Sequence, residues 1–123
     1  METKNTWVFD KPISHRGLHN SDDIPENSLA AFENSVKHGF AIELDARIID
    51  DQTVIVFHDE KLSRMTNRDG YVSNLKAADL DDIHLLKTDC RIPTFEKVLE
   101  TVNGKVPQLI EVKKAEQSFD LEV

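Results

Sequence analysis

Residues 40–46, FAIELDA, constrain the fold more than any other segment. Read as a strand, they place Phe40, Ile42 and Leu44 on one face and Ala41, Glu43 and Asp45 on the other. The apolar face must be covered by a second layer of structure. The opposite face then carries two carboxylates, which need a reason to be there. An isolated E-x-D on a strand is more often an ordinary edge-strand pair neutralised by Lys or Arg. Here residues 108–113, QLIEVK, repeat the arrangement, with Leu109, Glu111 and Lys113 on one face and Ile110 and Val112 on the other.

The rest of the chain alternates short apolar runs with helical segments, the pattern of α/β units. A short first strand is expected at 12–15. The polar stretch HRGLHNSDDIPEN follows as a long loop. Asn27 or Ser28 can cap a helix in which Leu29, Phe32 and Val36 form one apolar stripe and Gly39 stands just past the end. Residues 53–57, TVIVF, are apolar on both faces, the mark of a buried parallel strand. The link before them is too short for a crossover helix, so an extended return segment is expected there. Residues 59–74 read as a loop with a turn at Asp69-Gly70, and 76–83 as a short helix with Asp79, Asp81 and Asp82 facing water. Thr94 opens a second helix striped by Phe95, Val98, Leu99 and Val102 and closed by Gly104. The residues after Lys114 read as a loop and the start of a helix.

Composition excludes several classes. The chain has 123 residues and a formal net charge of −8. An acidic balance argues against nucleic acid or an anionic membrane surface as the main partner, since both select basic patches. No run approaches the roughly 18 apolar residues of a membrane span. The N-terminal residues lack the apolar core of a secretory signal. The single cysteine, Cys90, has no partner for an internal disulfide, and a reducing cytoplasm is the simplest setting. Trp7 reads as a packing anchor. There is no glycine-rich phosphate loop, C-x-x-C pair or G-x-S-x-G.

Polar residues gather at the strand ends: His15, Glu43 with Asp45, His58, and Glu111 with Lys113. In an α/β barrel the C-terminal strand ends build the active site. Glu43, Asp45 and Glu111 converging there would repel one another, and a divalent cation relieves that repulsion. An all-oxygen set suits Mg²⁺ or Ca²⁺. His15 and His58 are candidates for general acid and base. Arg16 and Lys113 are cationic donors suited to an anionic phosphoryl group. His38 and His84 read as surface residues, and His19 lies in the long loop.

Taken together, His15-Arg16-Gly17, Pro25-Glu26-Asn27-Ser28, Glu43-Leu44-Asp45, His58-Asp59 and Glu111-Val112-Lys113 resemble, in order and spacing, the glycerophosphodiester phosphodiesterase family. The segments KLSRMTNRDGYVSNL and IPTFEKVLETV are similar to it as well, so the resemblance runs from about Pro12 to Lys113. It departs from the family pattern at Ser28, where Thr is usual, and at Asp51-Gln52, where an Asp-Gly turn is common. The resemblance implies a TIM-type barrel and metal-dependent hydrolysis of glycerophosphodiesters to glycerol 3-phosphate and an alcohol. It implies Glu43, Asp45 and Glu111 as metal ligands, with His15 and His58 as the acid–base pair. Arg16 and Lys113 follow as phosphate-stabilising residues, and Glu26 and Asn27 as residues shaping the substrate site. Such a barrel takes about 250 residues. Residues 1–123 are therefore expected to be the N-terminal part of one such domain, a half-barrel of four strands. The other half would lie in a missing C-terminal segment or in a second copy in a homodimer. The competing expectation is a non-catalytic half-barrel or interaction module derived from that enzyme. An amidohydrolase-like site on the same fold is disfavoured, since those sites draw on histidine ligands and no H-x-H occurs.

Overall fold

A computed structural model describes residues 12–20 and 23–114. Trp7 and the helix start expected after Lys114 lie outside the described residues. The elements are β1 (Ile13–His15), α1 (Leu29–His38), β2 (Ala41–Ile48), β3 (Val54–Val56), α2 (Phe95–Val102) and β4 (Gln108–Val112). Two 3-10 turns, Val72–Asn74 and Ala77–Asp82, lie between β3 and α2. Among the described residues no helix is long and apolar enough to cross a membrane.

Strand β2 is the centre of the sheet. It pairs in parallel with β1 on one side and β4 on the other. The alternation expected for residues 40–46 holds. Ile42 and Leu44 are fully buried and pack with Phe32, Val56, Val98, Val102 and Val106, the core between sheet and helices. Burial of each such side chain contributes about 1.5–3 kcal/mol. Ile110 and Val112, register partners of Leu44 and Ala46, extend this face but stay 45% and 67% exposed. Leu99, expected in the α2 stripe, is also largely exposed.

The expectation of four parallel strands is corrected at β3. It runs antiparallel to β2, with Ala46 opposite Val56 and Ile48 opposite Val54. Strand β2 continues two residues past Ala46, and the remaining link closes as a hairpin with Gln52 at φ 73°. The link is short enough for a hairpin, which needs only a few residues, and too short for any crossover. Both faces of β3 are apolar because both are covered. Val56 joins the sheet–helix core, whereas Ile55 and Phe57 join a second core.

That second core runs through the stretch expected to be a loop, 59–74, and through the short helix expected at 76–83, which forms as the 3-10 turn Ala77–Asp82. Leu62, Met65, Val72, Leu75, Leu80, Ile83, Leu85 and Ile92 pack together with Ile49, Ile55 and Phe57. Isolated bridges such as Lys61 with Tyr71 and Thr66 with Leu85 replace regular strands there. The apolar residues follow neither a helical nor a strand period, so periodicity alone hides this lobe.

The helix ends behave as expected. Ser28 Oγ accepts the Ala31 N–H at 3.1 Å, and Gly39 takes the left-handed conformation after α1. Thr94 caps α2, which Asn103 rather than Gly104 closes in the left-handed region. Gly17 has a stricter requirement. Its φ is +81°, and an added Cβ would stand 2.8 Å from Ala31 Cβ and 3.0 Å from Phe32 Cδ1. Only glycine lets the turn after β1 press against α1. Gly17→Ala should lower the unfolding free energy by about 1–3 kcal/mol, read from the urea midpoint. Gly39→Ala, with open space around its Cβ, should lose less.

Candidate functional site

Sheet register assembles the site. His15 stands opposite Glu43, and Glu43 opposite Leu109; two residues on, Asp45 stands opposite Glu111. In a parallel sheet these partners project from one face. Carboxylate oxygens of Glu43, Asp45 and Glu111 accordingly lie within 4.8 Å of one another. Asp45 is buried at 1% exposure, whereas Glu111 is exposed.

Loop residues surround the triad with cations and donors. Arg16 and Asn27 both adopt left-handed backbones, at φ 60° and 55°. Each is tied down: Arg16 N–H donates to the Glu43 carbonyl at 2.8 Å, and Asn27 N–H donates to the Arg16 carbonyl at 2.8 Å. Strain of this kind gathers at functional sites. Asn27 Nδ2 then donates to Asp45 Oδ2 at 3.1 Å, with Arg16 Nε 3.7 Å from the same oxygen. Lys113 Nζ donates to Glu111 at 3.1 Å and stands 3.9 Å from Asp45 Oδ1. That Oδ1 is buried without a hydrogen-bond partner. His15 Nε2 is 3.7 Å from Glu43 Oε1, its ring largely exposed.

His58 follows β3 rather than a parallel strand, and the backbone on either side of it is tied to β2. Phe57 N–H donates to the Asp45 carbonyl at 2.9 Å. The guanidinium of Arg47 donates to the His58 carbonyl at 2.7 and 3.2 Å. The His58 ring does not touch the carboxylate triad; its Nδ1 pairs with Asp59 Oδ1 at 2.8 Å.

Three contributors carry no assignment from the sequence: Arg47, Asp59 and Arg64. Arg64 donates to Asp59 through Nε at 2.8 Å and to Glu26 through Nη2 at 2.6 Å. Glu26 in turn pairs with Arg16 at 3.3 Å. Acidic and basic groups thus alternate from His58 through Asp59, Arg64, Glu26 and Arg16 to Asp45. The clue for Arg64 is its setting in Leu62-Ser63-Arg64-Met65, a charge between two residues that bury themselves in the second core. The Arg64 hydrogen bond holds the Asp59 carboxyl at about 2, below its ordinary 3.8 and against the opposing effect of burial. Burial acts to raise the Glu26 carboxyl, but Arg64 and Arg16 together bring it below its ordinary value.

Residues 15–123 match the glycerophosphoryl diester phosphodiesterase family. The chain belongs to that family. A glycerophosphodiester phosphodiesterase from Bacillus altitudinis is 36% identical over 110 residues, which cover 84% of this chain and 44% of the relative. A lysophospholipase D from Homo sapiens is 36% identical over 117 residues, 93% of this chain and 35% of the relative. A phosphodiesterase from Oleispira antarctica, solved in complex with the product sn-glycerol-3-phosphate, superposes with a TM-score of 0.79 at 27% identity. That superposition covers 89% of this chain and 47% of the other. The chain therefore spans less than half the length of each of these relatives. Its α/β half-sheet, open along β4, is the phosphodiesterase family's barrel wall over the matched region.

A pH dependence follows from the depressed carboxyls. The folded chain binds fewer protons at Asp59 than the unfolded chain, so the stabilisation is complete above the unfolded value of 3.8. It is lost as pH falls from there through about 2. Urea midpoints measured between pH 5 and pH 2 should drop over that window, and Arg64→Gln should flatten the drop.

Proposed function

We propose that this chain carries the reaction centre of a metal-dependent glycerophosphodiester phosphodiesterase, cleaving glycerophosphodiesters to glycerol 3-phosphate and an alcohol. The observation that carries this reading is the triad of Glu43, Asp45 and Glu111 within 4.8 Å, beside Arg16 and Lys113. Three carboxylates with an orphaned buried oxygen on Asp45 fit a hard divalent cation. Asp45 is the anchor, because Asn27 and Arg16 hold its other oxygen. A bound Mg²⁺ or Ca²⁺ would act as a Lewis acid on the phosphate and lower the pKa of a coordinated hydroxyl.

The chain's own residues do the rest. Arg16 and Lys113 neutralise the phosphate's charge and the charge that develops in the transition state. Glu26 and Asn27 shape the substrate pocket: Glu26 aligns the Arg16 guanidinium and Asn27 fixes Asp45. His15 and His58 divide the proton transfers, one taking the proton of the attacking oxygen and the other protonating the leaving alkoxide. His15, with its exposed ring, reaches the substrate from the Glu43 side, and His58 is steadied by Asp59. The lone Cys90 agrees with a cytoplasmic setting. The exposed helix-side face of β4, with Ile110 and Val112, favours a second layer of barrel wall against it, from further chain or from a second copy. The same exposed face supports the second reading, an interaction module that keeps the site residues without turnover.

Release of glycerol 3-phosphate from glycerophosphocholine and from glycerophosphoethanolamine tests the proposal. Activity should require Mg²⁺ or Ca²⁺ and vanish with chelator. His58→Ala should lower kcat by about 10²–10⁴-fold. Turnover indifferent to chelation would remove the carboxylate–metal proposal. No turnover, together with undiminished cation binding in Asp45→Asn, would favour the interaction module.

A further inference from the structure

Arg64 lies outside the carboxylate triad, yet its guanidinium is committed to two carboxylates from different parts of the chain. One prong reaches Asp59, at 2.8 Å from Nε and 3.1 Å from Nη2. The other reaches Glu26, at 2.6 Å from Nη2 and 3.3 Å from Nη1. Glu26 is buried at 8% exposure and sits in the loop after β1, whereas Asp59 follows β3. A planar fork with several fixed donors can hold both at once; the point charge of a lysine cannot.

The backbone around both ends is held by other contacts. The His58 carbonyl is bonded by Arg47, and Phe57 N–H is bonded to Asp45. On either side of Arg64, Leu62 and Met65 are buried in the second core, and Thr66 Oγ1 donates to the Leu62 carbonyl at 2.8 Å. Loss of the guanidinium therefore leaves the main chain in place and frees side chains. Glu26 then still has Arg16, whereas Asp59 is left with only the His58 ring at 2.8 Å.

We propose that Arg64 is a positioning residue that clamps Asp59 against the His58 imidazole and ties that imidazole to the Arg16 side of the site through Glu26. Its effect on turnover rests on the acid–base role proposed above for His58, whereas its effect on the ring does not. The clamp sets both ring orientation and tautomer: a fixed carboxylate on Nδ1 keeps the proton there and leaves Nε2 as the working nitrogen. Misplacement of such a group by about 1 Å costs up to roughly 10²-fold in rate.

The test is a long-range ¹H–¹⁵N correlation spectrum of the histidine rings at about pH 8, above the ordinary imidazole range, paired with kinetics. In the wild-type chain His58 should give the pattern of one tautomer, protonated at Nδ1. Arg64→Gln should give averaged tautomers, and Arg64→Lys, which keeps the charge and loses the fork, should remain intermediate. In turnover, Arg64→Gln should lower kcat by roughly 10- to 100-fold with KM within about twofold. It should add nothing to the defect of His58→Ala. An unchanged His58 pattern in Arg64→Gln overturns the clamp, as does a kcat loss that adds fully to that of His58→Ala. If Arg64→Gln does not fold, Arg64→Lys decides the same two readouts. If His58→Ala keeps wild-type turnover, or the chain shows none, the acid–base reading fails on its own, and the ring spectrum still decides the clamp.

Discussion

The register between β2 and β4 sets Asp45 beside Glu111, with Glu43 one step along the same face. Like charges opposed across strands are destabilising, and Asp45 has almost no water to screen it. The other features of the site compensate this. Asn27 donates to one Asp45 oxygen, Arg16 approaches the same oxygen, and Lys113 lies nearest the other. Of the two left-handed residues, Asn27 donates its N–H to the Arg16 carbonyl, and both side chains reach Asp45. Gly17 is squeezed against α1 because that turn has to sit close to the sheet. The protein's cations offset only part of the triad's charge, and a divalent ion would supply the rest.

The two histidines proposed as the acid–base pair are placed by two different routes. His15 is carried by the sheet itself, opposite Glu43. His58 arrives by the hairpin and the irregular lobe, and is held by side chains instead of register. The second core, from Ile49 to Ile92, gives that lobe enough packing to hold Asp59 and Arg64 against the first loop. A structure without regular elements can be rigid where its buried residues are this numerous.

Much of this was legible from residue pattern. Alternation along 40–46 and 108–113 placed three carboxylates on one face, and the helix caps at Ser28 and Thr94 followed from simple rules. The apolar residues of β3 encode its burial but not its direction. Two covered faces indicate burial, and burial arises from a hairpin sandwiched between two cores as well as from a parallel strand. Apart from the short helix at 77–82, the irregular lobe carries no periodic signal, so periodicity reveals neither its core nor the contacts of Arg64. Nothing in sequence spacing says that residues 26, 59 and 64 meet. Their contact depends on how two loops close over the sheet edge.

The central claim is that the carboxylate triad is a cation site. Crystals of the chain soaked in Mn²⁺, an oxygen-seeking stand-in for Mg²⁺ or Ca²⁺, and measured at the manganese absorption edge, test it directly. The account predicts one strong anomalous peak bounded by Glu43, Asp45 and Glu111, absent from Asp45→Asn crystals. Ordered carboxylates with no peak between them, or a peak that survives in Asp45→Asn, would contradict it.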